Sequence, residues 1–424
     1  MSRGWLVVTG FCFVTWSASA QDPDSLSGTP TKADTCGIMA WPLANADHFL
    51  KFEAKGFYDS NTLRNDLVLG LWQGATLDRE TRQRSEGRTD QQSRAGYTLE
   101  ANLSYAWGDS LWGNGNMRPR ISITYHDVMG LRFSDDLYRT TFFGNADFEN
   151  ATAELAPTAL EQVRYQTFGF GIEDKETRSF LMLQLVNGQS LNAARIDRAD
   201  LFTAIDGRYL RLDLEGNYAR SDTAAPPGLS NNGIGAALGA EVNQRFNLCH
   251  REASFTFGIQ DLGAIVWNEN SLRVPKDSIL VYEGIQVDDV FDLNASITGS
   301  TDLQDSLGLG YVRGAFLRLL PVRMNARVST KCAHQFELSA EVDVRNLPGY
   351  YPHGSLGVEH SFAERNSIRG EVSYGGFGGW RTGVGYQRLV GKNLLVGLLA
   401  PNLIGLLSDR ARGRALAIDL QYAW

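Results

Sequence analysis

After residue 20, no run in this sequence is apolar for long enough to cross a membrane as a helix, which needs about 20 consecutive apolar residues. The most apolar stretch, "LLVGLLAPNLIGLL" from Leu394 to Leu407, is broken by Pro401 and Asn402. Proline is scarce, at 12 in 424 residues, and there are no repeats or blocks of like charge, which argues against a disordered chain. Cysteine is scarcer still: Cys12, Cys36, Cys249 and Cys332 show no metal-type spacing. The pairs in "CH" at Cys249 and "CAH" at Cys332 lack the spacing of a finger or ribbon, so zinc is not expected. Basic residues are also in deficit, 40 against 48 acidic, and no basic patch for nucleic acid stands out.

What the chain does have is glycine and aromatics: 44 Gly, 21 Phe, 15 Tyr and 9 Trp suit strands joined by turns. Its start reads as a secretory signal. Arg3 precedes "WLVVTGFCFVTW", and "SASA" precedes "QDPD", so residues 1–20 are expected to be removed after Ala20. That would leave Cys36, Cys249 and Cys332, and a flexible lead-in over residues 21–46.

From residue 47 the dominant signal is a period of two. In "HFLKFEAKGFY", Leu50, Phe52, Ala54, Gly56 and Tyr58 share one face while Lys51, Glu53 and Lys55 share the other. "YTLEANLSYAW" sets Tyr97, Leu99, Ala101, Leu103, Tyr105 and Trp107 against Thr98, Glu100, Asn102 and Ser104. "RISITYHDV" places His126 with Ser122 and Thr124 on a polar face, and "RYLRLDLEGNYA" and "FELSAEVDVR" follow the same grammar. Further strands are expected near 164–173, 178–187, 234–244, 253–267, 279–288, 314–328, 351–361, 380–389 and 392–400. The segment 60–94 has no such period and is read as a short plug or a loop; within it "SEGRTDQQSRAG" is a candidate constricting loop.

Strands near ten residues, ionised groups alternating with large apolar ones, and aromatics at strand ends (Tyr97, Tyr105, Trp107, Tyr218, Tyr422, Trp424) favour a membrane barrel over a soluble sandwich. The expected fold is all-β, a transmembrane antiparallel β-barrel of about 14 strands (12–16). Closure would pair His48–Tyr58 with Arg414–Trp424, since a sheet in hydrocarbon can leave no edge. In "RALAIDLQYAW", Leu416, Ile418 and Leu420 would face lipid and Asp419 and Gln421 the lumen, while Tyr422 and Trp424 would serve as an interfacial insertion signal.

The stretches "LWQGATLDRETRQRSEGRTDQQSRAGYTLEANLSYAW", "DDLYRTTFFGNADFENATAELAPTALEQVRYQTFGFGI" and "ASFTFGIQDLGAIVWNENS", with the glycine-rich final strands, resemble a Bacteroidota family of outer-membrane β-barrels of unknown function. That family is distantly similar to the PorV- and PorP-type barrels of the type IX secretion and gliding apparatus, and to fatty-acid-transporter-like barrels. The resemblance implies a cell outer-membrane location and, as partners, outer-membrane lipid, the barrel-assembly machinery, and secretion-system components or a small solute. It implies no catalytic residue and no cofactor. Gly263 and Trp267 of "DLGAIVWN" are read as strand-packing and interface residues.

The one enzyme-like pattern is "YPHGSLG". His353 and Ser355, two apart on a strand, share a face, and Asn366 or Glu364 follows as a third group, an arrangement similar to that of outer-membrane lipid hydrolases. A polar His at a strand end is the stronger reading. Asp288, Asp289 and Asp292 lack the spacing and the glycine of a calcium loop, and "GLSNNGIGAALGAE" follows a Pro-Pro turn rather than forming a phosphate loop. The expected function is therefore non-enzymatic: passage of a small, hydrophobic or other, solute, or an accessory role in secretion and surface assembly.

Overall fold

The computed structural model describes residues 46–86, 92–108, 116–222, 230–248, 251–282, 312–333, 335–363 and 365–424, with 275–282 and 333 described by backbone alone. The signal and most of the lead-in, Cys36, Cys249, Asp288, Asp289, Asp292 and Glu364 lie outside the described residues.

Fourteen strands close a wall. They are β1 (His48–Ser60), β2 (Ser93–Trp107), β3 (Met117–Phe133), β4 (Thr158–Asp174), β5 (Phe180–Thr203), β6 (Gly233–Leu248) and β7 (Arg251–Trp267). The circuit continues with β8 (Arg323–Ala333), β9 (Phe336–Arg345), β10 (Tyr351–Phe362), β11 (Asn366–Gly376), β12 (Arg381–Val390), β13 (Leu394–Asn402) and β14 (Arg414–Ala423). Each pairs antiparallel with its neighbours. The seam is β1 with β14, in register from Phe49↔Ala423 to Tyr58↔Arg414. No wall strand is left with a free edge, which is what an apolar solvent demands of backbone N–H and C=O groups.

Parity sorts the side chains. Leu99, Leu103, Ile121, Ile123, Phe168, Phe170, Leu183, Leu185, Leu356 and Leu398 point out and are exposed, so the barrel wears an apolar belt. Lys51, Glu53, Lys55, Glu100, Asn102, Ser122, Thr124 and His126 alternate with them and point in. At one end the strands are joined by short turns, as at 362–366 and 390–394; at the other lie the long connections, such as 60–93 and 133–158, together with two short ones at 345–351 and 376–381. At the short-turn end Tyr105, Trp107, Tyr422 and Trp424 stack with His48 on the outer surface, with ring centroids 5.1–6.1 Å apart.

Not every alternating segment belongs to the wall. The strand Leu210–Arg220, expected as a barrel strand, pairs with the upper half of β5 and then with Leu272–Tyr282, building an extension beyond the barrel. The reason is that β5 is 24 residues long and pairs with β6 only up to Gly188↔Gly233. Tyr218 lies on this extension and so is no part of the aromatic girdle. The expected strand 314–328 is two pieces, because Phe316–Leu319 and β8 both pair with β7 and Pro321 interrupts the ladder between them.

The segment 60–94, read as a plug or loop, is a loop on the outside. It carries α1 (Asn65–Gln73) and α2 (Arg79–Arg84); of "SEGRTDQQSRAG", residues 87–91 lie outside the described residues and Ser93–Gly96 open β2. Leu67 of α1 packs with Phe133 and with Tyr138 of α3 (Asp135–Phe143), and Leu131 joins them. Leu131 and Phe133 have the parity of the lipid-facing Ile121 and Ile123 on an uninterrupted strand, so this helical collar sits on the outer flank. Burial pushes the Tyr138 phenol well above its ordinary pKa. A fourth helix, α4 (Leu403–Leu407), is tied to α1 by the Asn65 side-chain amide, which donates to the carbonyls of Gly405, Ser408 and Gly413 at 3.1–3.3 Å.

Candidate functional site: a lumen closed from one side

A 14-stranded wall encloses an interior that side chains alone fill only if the barrel flattens or its loops fold in. Both kinds of contact are present. Arg345 of β9 reaches β2, seven strands away around a circuit of fourteen, where its Nη1 donates to Thr98 Oγ1 at 3.1 Å and its Nη2 lies 3.8 Å from Glu100. Glu100 also pairs with Lys55 of β1 at 2.9 Å. Next to them His126 of β3 stacks on Tyr165 of β4 at 4.4 Å, and the Tyr165 hydroxyl donates to Asp261 of β7 at 2.9 Å. Arg323 and Tyr350 both bind Asp343.

Above this charged layer two short connections turn inward. The β9–β10 connection places Leu347 and Pro348 against β3, and the β11–β12 connection places Phe377 against β2. They can do so because Gly96 and Gly130, paired with each other on the inner face, present bare backbone: a Cβ at Gly96 would overlap the Phe377 ring, and one at Gly130 would meet the Pro348 carbonyl oxygen at 2.6 Å. Arg94 locks the second loop by donating to the carbonyls of Phe377 at 3.0 Å and Gly378 at 2.9 Å, and Arg381 pairs with Asp59 at 2.5 Å. Phe377, 0% exposed, joins Val128, Tyr165, Leu191, Ile265, Leu320 and Leu347 in one apolar cluster drawn from opposite sides of the wall.

Below the charged layer the lining is polar, with Lys51 paired to Glu53 at 2.8 Å and Arg369 to Glu371 at 3.1 Å. At the short-turn end Glu173 accepts from Arg118 at 2.6 Å, Arg120 at 2.6 Å and Arg178 at 2.8 Å, and the Arg178 guanidinium lies 3.8 Å from the Phe49 ring centroid. Such a cluster needs its pairing, since an uncompensated buried charge is costly.

The residues singled out in the sequence fall as follows. His126 lies in the lumen at the charged layer. Trp267, read as an interface residue, is instead 0% exposed inside the apolar cluster: β7 bulges at Asp261, where φ is 59° and the register with β6 shifts, so the odd positions that face lipid at Phe257 face the lumen at Ile265 and Trp267. Gly263 is a close-packing position, where a Cβ would collide with β6 at Ala236 and Ala237. His353 and Ser355 do share a face, opposite Asp343 and Glu341 of β9, but that face is the lumen and not lipid. Asn366 pairs with Phe362 at the far end of the strand pair and accepts from the Tyr386 hydroxyl at 2.7 Å, so it brings no third group to them. Asp419 and Gln421 point inward with their amide and carboxylate 2.8 Å apart. Cys332 is a free, half-buried thiol. Among the described residues no group of three or more metal-type side chains comes together, and no helix is long and apolar enough to span a membrane, which does not bear on spanning by strands.

A closed antiparallel wall with an apolar exterior, a charged interior and aromatics at its rim defines a membrane-spanning β-barrel. The chain belongs to the family of unknown function DUF5723, whose pattern matches residues 107–398. No curated protein matches it in sequence. Among solved structures it is similar to the toluene transporter TodX of Pseudomonas putida, with 10% identity, 90% of each chain covered and a TM-score of 0.39. It is also similar to the translocator domain of the autotransporter NalP from Neisseria meningitidis, with 9% identity, 88% of each chain and 0.32. OprB of Pseudomonas putida gives 9% identity, 90% of this chain, 94% of that chain and 0.29.

Proposed function

We propose that the protein is a non-enzymatic barrel of the outer membrane that passes a small polar solute through a lumen held shut by the loops 346–350 and 376–380. The observation that carries this reading is the inner face itself: a polar, charge-paired lining capped at one end by two loops seated on Gly96 and Gly130. Short turns at one end and long connections at the other support placing the latter outside the cell. A hydrophobic solute fits the lining less well, because the apolar clusters lie towards the two ends, around Phe377 in the loop layer and around Phe49 and Leu395 at the short-turn end, with charged pairs between them. The resemblance to Bacteroidota barrels of the PorV and PorP type is part of the proposal, and so is removal of residues 1–20. An accessory role in secretion is the second reading, favoured by the strand extension built from β5, Leu210–Arg220 and Leu272–Tyr282.

Single-channel recording in planar bilayers tests the first reading. Wild-type protein should conduct weakly or in brief openings, and Gly130→Leu, which leaves no room for Pro348, should raise conductance severalfold. If the variant runs as a folded barrel on unheated gels and still conducts no more than wild type, the passage reading fails.

A further inference from the structure

The collar of helices exposes side chains that a solvent-facing loop has no reason to carry. Trp72 at the end of α1 is 86% exposed and Leu407 at the end of α4 is 80% exposed, with Leu71 and Ile404 also more than half exposed. Scattered surface hydrophobics need no explanation, but these four lie on two short helices that Asn65 ties together. The attachment is specific in position as well. The Asn65 and Asp66 backbone amides donate to the carbonyls of Ala411 and Asp409, both at 2.9 Å, so α1 starts directly on the β13–β14 connection that carries α4.

The height of the collar follows from the wall beneath it. Ten residues of β2 separate Tyr97 from Trp107 of the lower aromatic stack. At about 3.3 Å per residue and a tilt near 40°, that is a rise of about 25 Å, the height of the apolar band of such barrels. At this level the outward face becomes polar: Asp127 accepts from the Tyr97 hydroxyl at 2.8 Å and from Arg164 at 2.6 Å, and Gln162 donates to Tyr97 at 2.7 Å. Leu131 and Phe133, on which the collar rests, come next on the same face of β3. The collar is therefore continuous with the lipid-facing belt and begins where hydrocarbon gives way to headgroups.

We infer that α1 and α4 form an interfacial anchor whose occupant is the membrane leaflet on the long-connection side, with Leu71, Trp72, Ile404 and Leu407 inserted among the outermost acyl carbons. An indole is favoured at that depth, and amphipathic helices at an interface bury their apolar side about 5–10 Å into the headgroup boundary. The anchor would hold the collar against the wall without touching the lumen. The inference rests on the membrane-spanning reading of the barrel but not on what passes through it.

The test is tryptophan fluorescence of the full chain reconstituted in phosphatidylcholine vesicles, comparing wild type with Trp72→Phe so that the difference spectrum isolates one indole. The difference should be blue-shifted, and lipids brominated near the headgroup should quench it more than lipids brominated near the chain end. A folded barrel whose difference spectrum is water-like and unquenched overturns the anchor, and points to a protein partner instead. Loss of heat-modifiable migration would mark failure of the barrel reading rather than of the anchor. Should Trp72→Phe fold poorly, Leu407→Trp compared with wild type isolates an added indole on α4, with the same two outcomes.

Discussion

The inner and outer faces of β2 and β3 receive visitors in opposite ways. Inside, Gly96 and Gly130 have no side chains, and the loops that land on them bring their own: Leu347, Pro348 and Phe377. Outside, Leu131 and Phe133 supply the side chains, and the helices α1 and α3 settle over them with Leu67 and Tyr138. The inner contact sets loop on backbone, with directed bonds from Arg94 and Arg381 beside the apolar cluster that takes in Leu347 and Phe377; the outer one is an apolar cluster to which the Tyr138 hydroxyl adds a bond to the Arg82 carbonyl. The steric fit of the first contact fails as a unit once a side chain is added at Gly96 or Gly130. The second loosens gradually, because each buried side chain contributes its own share.

Three changes separate these two behaviours. The largest effect removes both faces together: deleting Tyr422–Trp424 takes away the Leu394↔Tyr422 pair and the outer aromatic stack, and should abolish assembly into the membrane. Fractionation of cells checks it, and normal insertion of the truncated chain would refute the role given to these residues. Next is Arg345→Ala, which leaves Glu100 with Lys55 at 2.9 Å and His126 at 4.0 Å, and Thr98 without the Arg345 donor; breaking a buried pair of this kind costs about 3–5 kcal/mol. The expected readout is a lower melting temperature together with higher conductance, since the cross-lumen strut is gone. Smallest is Leu67→Ala, with an expected loss of about 2–5 kcal/mol shared locally within the collar. It should speed proteolysis of residues 60–86 while leaving conductance unchanged, and a change in conductance would show that the two faces are coupled.

The wall was legible because parity is a strict rule: a residue's place on a strand decides lipid or lumen, and "HFLKFEAKGFY" and "RALAIDLQYAW" state it openly enough to predict the seam. The same rule misled at "RYLRLDLEGNYA", because a sheet with one wet face alternates identically whether it lines a barrel or extends beyond one. It also missed the closure. "NLPGYY" and "GGFGGW" carry no period that marks them, and that Leu347 and Phe377 enter the lumen depends on glycines about 220 and 280 residues earlier. Trp267 was misplaced for a related reason: aromatics near strand ends are shared by girdles and cores, and strict parity from the exposed Phe257 would still send it to lipid, had the bulge at Asp261 not reversed the alternation.

The pairing of Phe49 with Ala423 also sets a schedule. Local hairpins such as β2–β3 can form as soon as their own residues are available, but the seam joins positions near opposite ends of the chain, so the circuit closes only after every other wall strand exists. Contacts of such long sequence separation are slow to form. Until that moment β1 offers one unsatisfied edge and β14 the other, each a template for pairing with a foreign strand. The interval before closure, rather than the finished barrel, is when this protein is most exposed to aggregation and most in need of an escort.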